Sequence, residues 1–108
     1  SDSLRAAEVT RAVRDARVGD REVAEGSYIG FLDGELVSVG KGTKEAALAL
    51  AARIVDEGAD LLTLLRGEEL GESELEDIAE GIRGLDGSVE VEVRDGGQPL
   101  YPLQMVAE

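Results

Sequence analysis

The sequence predicts an α/β fold: a two-layer mixed sheet of about six strands with two helices, its βαβαβ centre preceded by a strand and a β-hairpin. Three observations carry this expectation. Asp33-Gly34 separates two short apolar runs, which marks a tight hairpin. Two later segments place apolar residues at helical spacing, and each ends on a glycine. Short β-branched or leucine-rich runs stand before, between and after them, the order expected for strands alternating with crossover helices.

The elements follow in order. Residues 8–18 are charged but carry Val9, Thr10 and Val13, and read as one strand. Gly19-Asp20 and Glu25-Gly26-Ser27 are turn signals. Residues 28–32 and 35–39 form the hairpin, because Gly34 supplies the positive φ that a type I′ turn needs. Gly40-Lys41-Gly42 breaks the strand, and Thr43 is placed to cap a helix over 44–57 with its hydroxyl. Gly58 stands in the usual stop position. Leu61-Leu62-Thr63-Leu64-Leu65 is almost continuously apolar, which predicts a strand buried on both faces. Ser73 and Glu76 have capping-box spacing before Leu75, Ile78, Ala79 and Ile82, and Gly84 closes that helix. Val89, Val91 and Val93 alternate with charged residues, as in a strand with one wet face. After the turn at 95–99, residues 100–106 form a last extended piece. Pro102 lacks an N–H, which predicts a place at a sheet edge or an irregular path. The crossovers predict a parallel centre, with both helices on one face or one face left for a neighbour.

Size and composition set the limits. The chain of 108 residues is expected to be a single domain, 1–108, burying roughly 60–70% of its extended surface. Apolar residues make up 43% and aromatics 3%, so the core must be aliphatic, with little stacking surface for bases or sugars. A net charge of −13 repels phosphate backbones and anionic membranes and favours a basic partner, so no nucleic acid is expected. No apolar run approaches the ~20 residues of a membrane span, so no membrane insertion is expected. With no Cys and no His, thiol and imidazole catalysis and zinc sites of the usual kind are excluded. Ser1, Ser3, Ser27, Ser38, Ser73 and Ser88 have no His to activate them, so no catalytic residue is assigned. The chain starts at Ser1 without Met: either the initiator was removed or the sequence is part of something longer, and the second is expected.

Several patterns invite chemistry. Gly40-Lys41-Gly42-Thr43 sits where a phosphate loop would, but Gly42 stands where Ser or Thr should follow the lysine; a Gly-rich turn is the simpler reading. Glu68, Glu69, Glu72, Glu74, Glu76, Asp77 and Glu80 lack calcium-site spacing, and three of them suit a helix N-terminus. They read as a solvated face available to a basic partner, not as a metal site. The stretch 95–102 holds two Gly, two Pro, Gln98 and Tyr101, which specifies an unusual backbone path. A tight turn leading to an edge strand, with Tyr101 packed on the core, is the simpler reading, and a rigid loop presenting Gln98 and Tyr101 to a partner is compatible with it.

That stretch also carries a resemblance. Asp95-Gly96-Gly97-Gln98-Pro99-Leu100-Tyr101-Pro102-Leu103 resembles the C-terminal signature of the catalytic component of bacterial fatty acid kinase, whose family is also called dihydroxyacetone-kinase-like or DAK phosphatase. Glu8-Val9-Thr10-Arg11-Ala12-Val13-Arg14-Asp15 looks like the family's Val-Thr-x-Ala-x-Arg-Asp segment. Gly26-Ser27-Tyr28-Ile29-Gly30 looks like its Gly-Asp-Tyr-Ile/Met-Gly turn, with Ser27 where Asp is commoner. Thr63-Leu64 through Gly67-Glu68 is similar to its strand end, with Arg66 replacing a frequent aromatic. The resemblance implies upstream domains in the same polypeptide: one holding ATP and magnesium, one carrying Cys and His. It implies an enzyme that phosphorylates a fatty acid carried by a separate DegV-like fatty-acid-binding protein, making acyl phosphate for phospholipid synthesis in the cytoplasm. For this chain it implies no cofactor and no catalytic residue of its own, and a role in docking the DegV-like protein or supporting assembly; a homodimer is a further expectation. The residues expected to bind the partner are Glu68, Glu69, Glu72, Gln98 and Tyr101. The alternative is a small-ligand-sensing regulatory domain of the same larger enzyme, its pocket lined by Gly40, Gly42, Gly67 and Gly96-Gly97 at the strand ends.

Overall fold

The computed structural model describes residues 4–108; Ser1 and Ser3 lie outside the described residues. Eight strands and two helices run in the order β1 (Arg5–Arg11), β2 (Ala16–Val18), β3 (Arg21–Val23), β4 (Tyr28–Leu32), β5 (Glu35–Gly40), α1 (Thr43–Asp56), β6 (Leu61–Arg66), α2 (Glu72–Arg83), β7 (Glu90–Asp95) and β8 (Leu103–Ala107). Six strands form a mixed sheet in the order β5-β4-β1-β8-β6-β7, and β2 and β3 form a separate two-stranded ribbon. The fold class and the βαβαβ connectivity expected from sequence are therefore present.

The β4–β5 turn has Asp33 at φ 49° and Gly34 at φ 84°, the left-handed pair that a type I′ turn requires. Side chains alternate across the sheet, so one row of the ladder reads Leu32, Ala7, Met105, Leu64 and Val93 across β4, β1, β8, β6 and β7. This row faces the helices. Ala47, Leu50, Ala51 and Ile54 of α1, with Leu75, Ile78, Ala79 and Ile82 of α2, join it in one buried cluster, so both helices cover the same face. The fully buried side chains are aliphatic or Met105, while Tyr28, Phe31 and Tyr101 are only half-buried. On the other face a smaller cluster joins Ala12, Val23 and Ile29, packing the ribbon over β4 and β5.

Five local expectations are corrected. The segment read as one strand over 8–18 ends at Arg11, and the Gly19-Asp20 turn joins the separate ribbon. Parallel pairing is confined to β6–β7, because β4, β1 and β8 stand between β5 and β6. The last strand lies in the middle of the sheet, antiparallel to both β1 and β6; Pro102 falls just before it, so its missing N–H costs the ladder nothing. Strand β6 buries Leu62 and Leu64 completely but leaves Leu61, Thr63 and Leu65 half-exposed, since no helix covers that face. The helix N-caps are Gly42 and Gly71, with no side-chain cap, in place of Thr43 and Ser73. Thr43 is instead the first helical residue and is buried.

Candidate functional site

The carboxyl ends of β1 and β6 and the start of β8 meet at one end of the sheet, and the chain there is fastened by backbone. The Gly67 N–H donates to the Pro102 carbonyl and the Glu68 N–H to the Gln98 carbonyl, each at 2.9 Å. The Gly96 and Gly97 N–H groups both donate to the Arg66 carbonyl at 2.9 Å. This close approach explains Gly67: a Cβ there would overlap the Tyr101 carbonyl oxygen and stand 2.9 Å from that of Gln98. The turn after β7 is thereby laid over the end of β6 and aims residues 99–101 at the loop of Glu68 and Glu69.

The result is a groove of about 660 Å³ lined by Thr10, Arg11, Val13, Glu68, Glu69, Pro99, Leu100 and Tyr101. Three of the five residues singled out from sequence, Glu68, Glu69 and Tyr101, share it. Glu72 does not: it opens α2 and stands 3.9 Å from Arg66, which also pairs with Asp95 at 3.2 Å and donates to the Leu70 carbonyl at 2.6 Å. Gln98 turns inward, its Nε2 donating to the Leu65 carbonyl at 2.9 Å, so it braces the loop. Sequence reasoning missed Val13 and Leu100. They are 78% and 75% exposed, and both project at the groove.

Comparison with known proteins adds the decisive observation. The family model for the C-terminal domain of FakA-like fatty acid kinases matches residues 1–108. The chain belongs to this family. Protein YloV of Bacillus subtilis (strain 168) is 28% identical over 105 residues, covering 97% of this chain and 19% of that protein. Uncharacterized protein SH1689 of Staphylococcus haemolyticus (strain JCSC1435) is 27% identical over 100 residues, covering 93% of this chain and 18% of that protein. A protein of Staphylococcus epidermidis (strain ATCC 12228) is 27% identical over 107 residues, covering 99% of this chain and 19% of that protein. The chain thus spans about a fifth of the length of the curated relatives it matches.

For this FakA-like C-terminal domain, the other candidate features have structural explanations. The Lys41 N–H, which a phosphate would seek, donates to Glu45 Oε1 at 2.8 Å. Among the described residues no group of three or more Asp, Glu, His or Cys could hold a metal ion. Gly67 and Gly96, considered as pocket linings, press against Tyr101 and Gln98. No described helix is long and apolar enough to cross a membrane.

At the opposite end of the sheet a cluster of charges adds to the backbone ties of residues 6, 33, 60, 61 and 108. Arg5 Nε donates to Asp33 Oδ2 at 2.8 Å, and the Ala6 N–H donates to Asp33 Oδ1 at 3.1 Å. Arg5 also pairs with Glu57, which accepts from Arg53 Nε at 2.6 Å. Asp33 is held below the usual carboxylate range first by the Arg5 bond and then by the Ala6 N–H, and Glu57 first by Arg53 and then by Arg5. Asp86 is lowered likewise by the backbone N–H and then the hydroxyl of Ser88. The contacts among Arg5, Asp33, Arg53 and Glu57 fasten β1, the hairpin turn and the end of α1.

Proposed function

We propose that this domain docks the fatty-acid-carrying, DegV-like protein within a fatty-acid-kinase-like enzyme. The wider activity would transfer the terminal phosphoryl group of ATP to the carboxylate of the carried fatty acid, giving acyl phosphate and ADP. ATP and magnesium would be held by another part of the longer protein, and this domain would fix the carrier in place. The observation that carries the proposal is the groove itself: two acidic side chains beside exposed Val13 and beside Leu100, which stands on a braced loop. Exposed apolar residues gathered in one place mark a contact surface more often than scattered ones do. The −13 charge suits a carrier with a basic patch.

Calorimetric titration of the domain with a purified, fatty-acid-loaded DegV-like protein tests this at two salt concentrations. Micromolar binding that weakens with salt is expected. No heat of binding at either salt would transfer the docking role to other parts of the longer protein and leave this domain to assembly.

A further inference from the structure

Five large apolar side chains are conspicuously exposed, and two of them, Val13 and Leu100, line one groove with Pro99 and Tyr101. Leu4, Val18 and Leu85 do not line it. Leu100 stands on a stretch of backbone tied on both sides. Pro102 behind it is buried, and the loop is tied through Gly67, Glu68 and the Gln98 amide. A side chain presented on a braced loop loses little conformational freedom when covered, so its burial converts efficiently into affinity. Glu68 and Glu69 stand exposed beside it and form no ion pair among the described residues, while Arg11 supplies the only cation of the lining.

Building on the docking reading, we infer that the groove takes a protein segment in which an aliphatic side chain stands next to a lysine or arginine. The aliphatic group seats against Leu100, Val13, Pro99 and the Tyr101 ring. The cation meets Glu68 and Glu69. The two halves have separate kinetic roles. Rim charges act at long range and set the association rate and its salt dependence, whereas buried apolar anchors set the dissociation rate. A phosphodiester strand or an anionic lipid surface would meet the wrong charge at this rim.

Association and dissociation rates are measured for the domain against the same fatty-acid-loaded DegV-like protein at low and high salt. Paired V13A/L100A substitution is expected to raise the dissociation rate about tenfold and leave the salt dependence unchanged. Paired E68Q/E69Q substitution is expected to lower the association rate several-fold at low salt, with dissociation within about twofold. A control pair, E76Q/E80Q, removes the same charge from α2 outside the groove and is expected to change either rate less than about twofold. Unchanged thermal midpoints show that each variant folds. If the native domain binds and neither groove pair alters the rates, or if the control pair acts as strongly as E68Q/E69Q, the inference is overturned while docking stands. If the native domain does not bind, the docking proposal falls first.

Discussion

The two ends of the sheet are fastened by different chemistry. At the end where β1 begins and α1 stops, charged side chains add to main-chain ties such as the Asp33 N–H to the Ala6 carbonyl: Arg5 bridges Asp33 and Glu57, and Arg53 adds to Glu57. At the end where β1 and β6 stop and β8 begins, main-chain groups of residues 66–68, 96–98 and 102 hold each other. Arg66 takes Asp95 and Glu72 at this end, while closure by backbone leaves Glu68 and Glu69 uncommitted. Glu68 and Glu69 therefore face solvent without an internal partner among the described residues, beside Leu100 on a loop whose position does not depend on their charge. A surface that is rigid and electrostatically unspent is well suited to meet another molecule.

The strongest way to break this contrast is Gly67→Ala. The added methyl would overlap the Tyr101 carbonyl and press on that of Gln98, so the backbone tie must open. A loss of about 3 kcal/mol is expected in urea unfolding at neutral pH, with little dependence on salt. Stability within about 0.5 kcal/mol of the native domain would show that the close approach is not what fastens this end. Glu45→Ala should cost less, about 1 kcal/mol, because it leaves the Lys41 N–H to water and removes an acid from the first turn of α1.

The charged end should respond to pH. Asp33 and Glu57 are lowered in the folded state, so their contribution is complete above the unfolded carboxylate values of 3.8 and 4.5 and is lost as pH falls through the lower folded values. The thermal midpoint should decline below about pH 4.5, and Asp33→Asn should flatten part of that decline. A D33N curve parallel to the native one throughout the acid range would assign the decline to other groups. The smallest effect is expected for E68Q/E69Q, which should leave unfolding free energy within about 0.5 kcal/mol of native. A clear loss of stability would mean that these carboxylates serve the fold and not a partner.

Much of this was legible in the sequence because it rests on local rules. Asp33-Gly34 dictates its turn, the apolar spacings of α1 and α2 dictate their buried faces, and the alternation of Val89, Val91 and Val93 dictates a strand. Long-range pairing was not legible. Nothing in residues 103–107 says that they insert between β1 and β6, since sheet order depends on which edges remain open after the other strands pair. The three-residue strands of the ribbon are too short to show a period. The acidic part of the groove was visible as composition, because Glu68 and Glu69 lie in one run. Its apolar part was not, because Val13 and Leu100 become conspicuous only once the core is known and they are absent from it. Gln98 drew attention for its setting, yet its amide serves the Leu65 carbonyl.

The central position of β8 has a consequence for how the domain is made. Strand β1 is made first among the described strands, but its neighbour on one side is the last of them. About 90 residues separate the two, which at ~5–20 residues per second is roughly 5–20 s of synthesis. Until residues 103–107 are in place the facing edges of β1 and β6 lack the strand that pairs with both, because β8 is what joins β5-β4-β1 to β6-β7. Joining the six-stranded sheet therefore requires residues 103–107, and their placement also sets residues 99–101 over the loop of Glu68 and Glu69. A chain interrupted before that point would carry two open sheet edges and lack the groove.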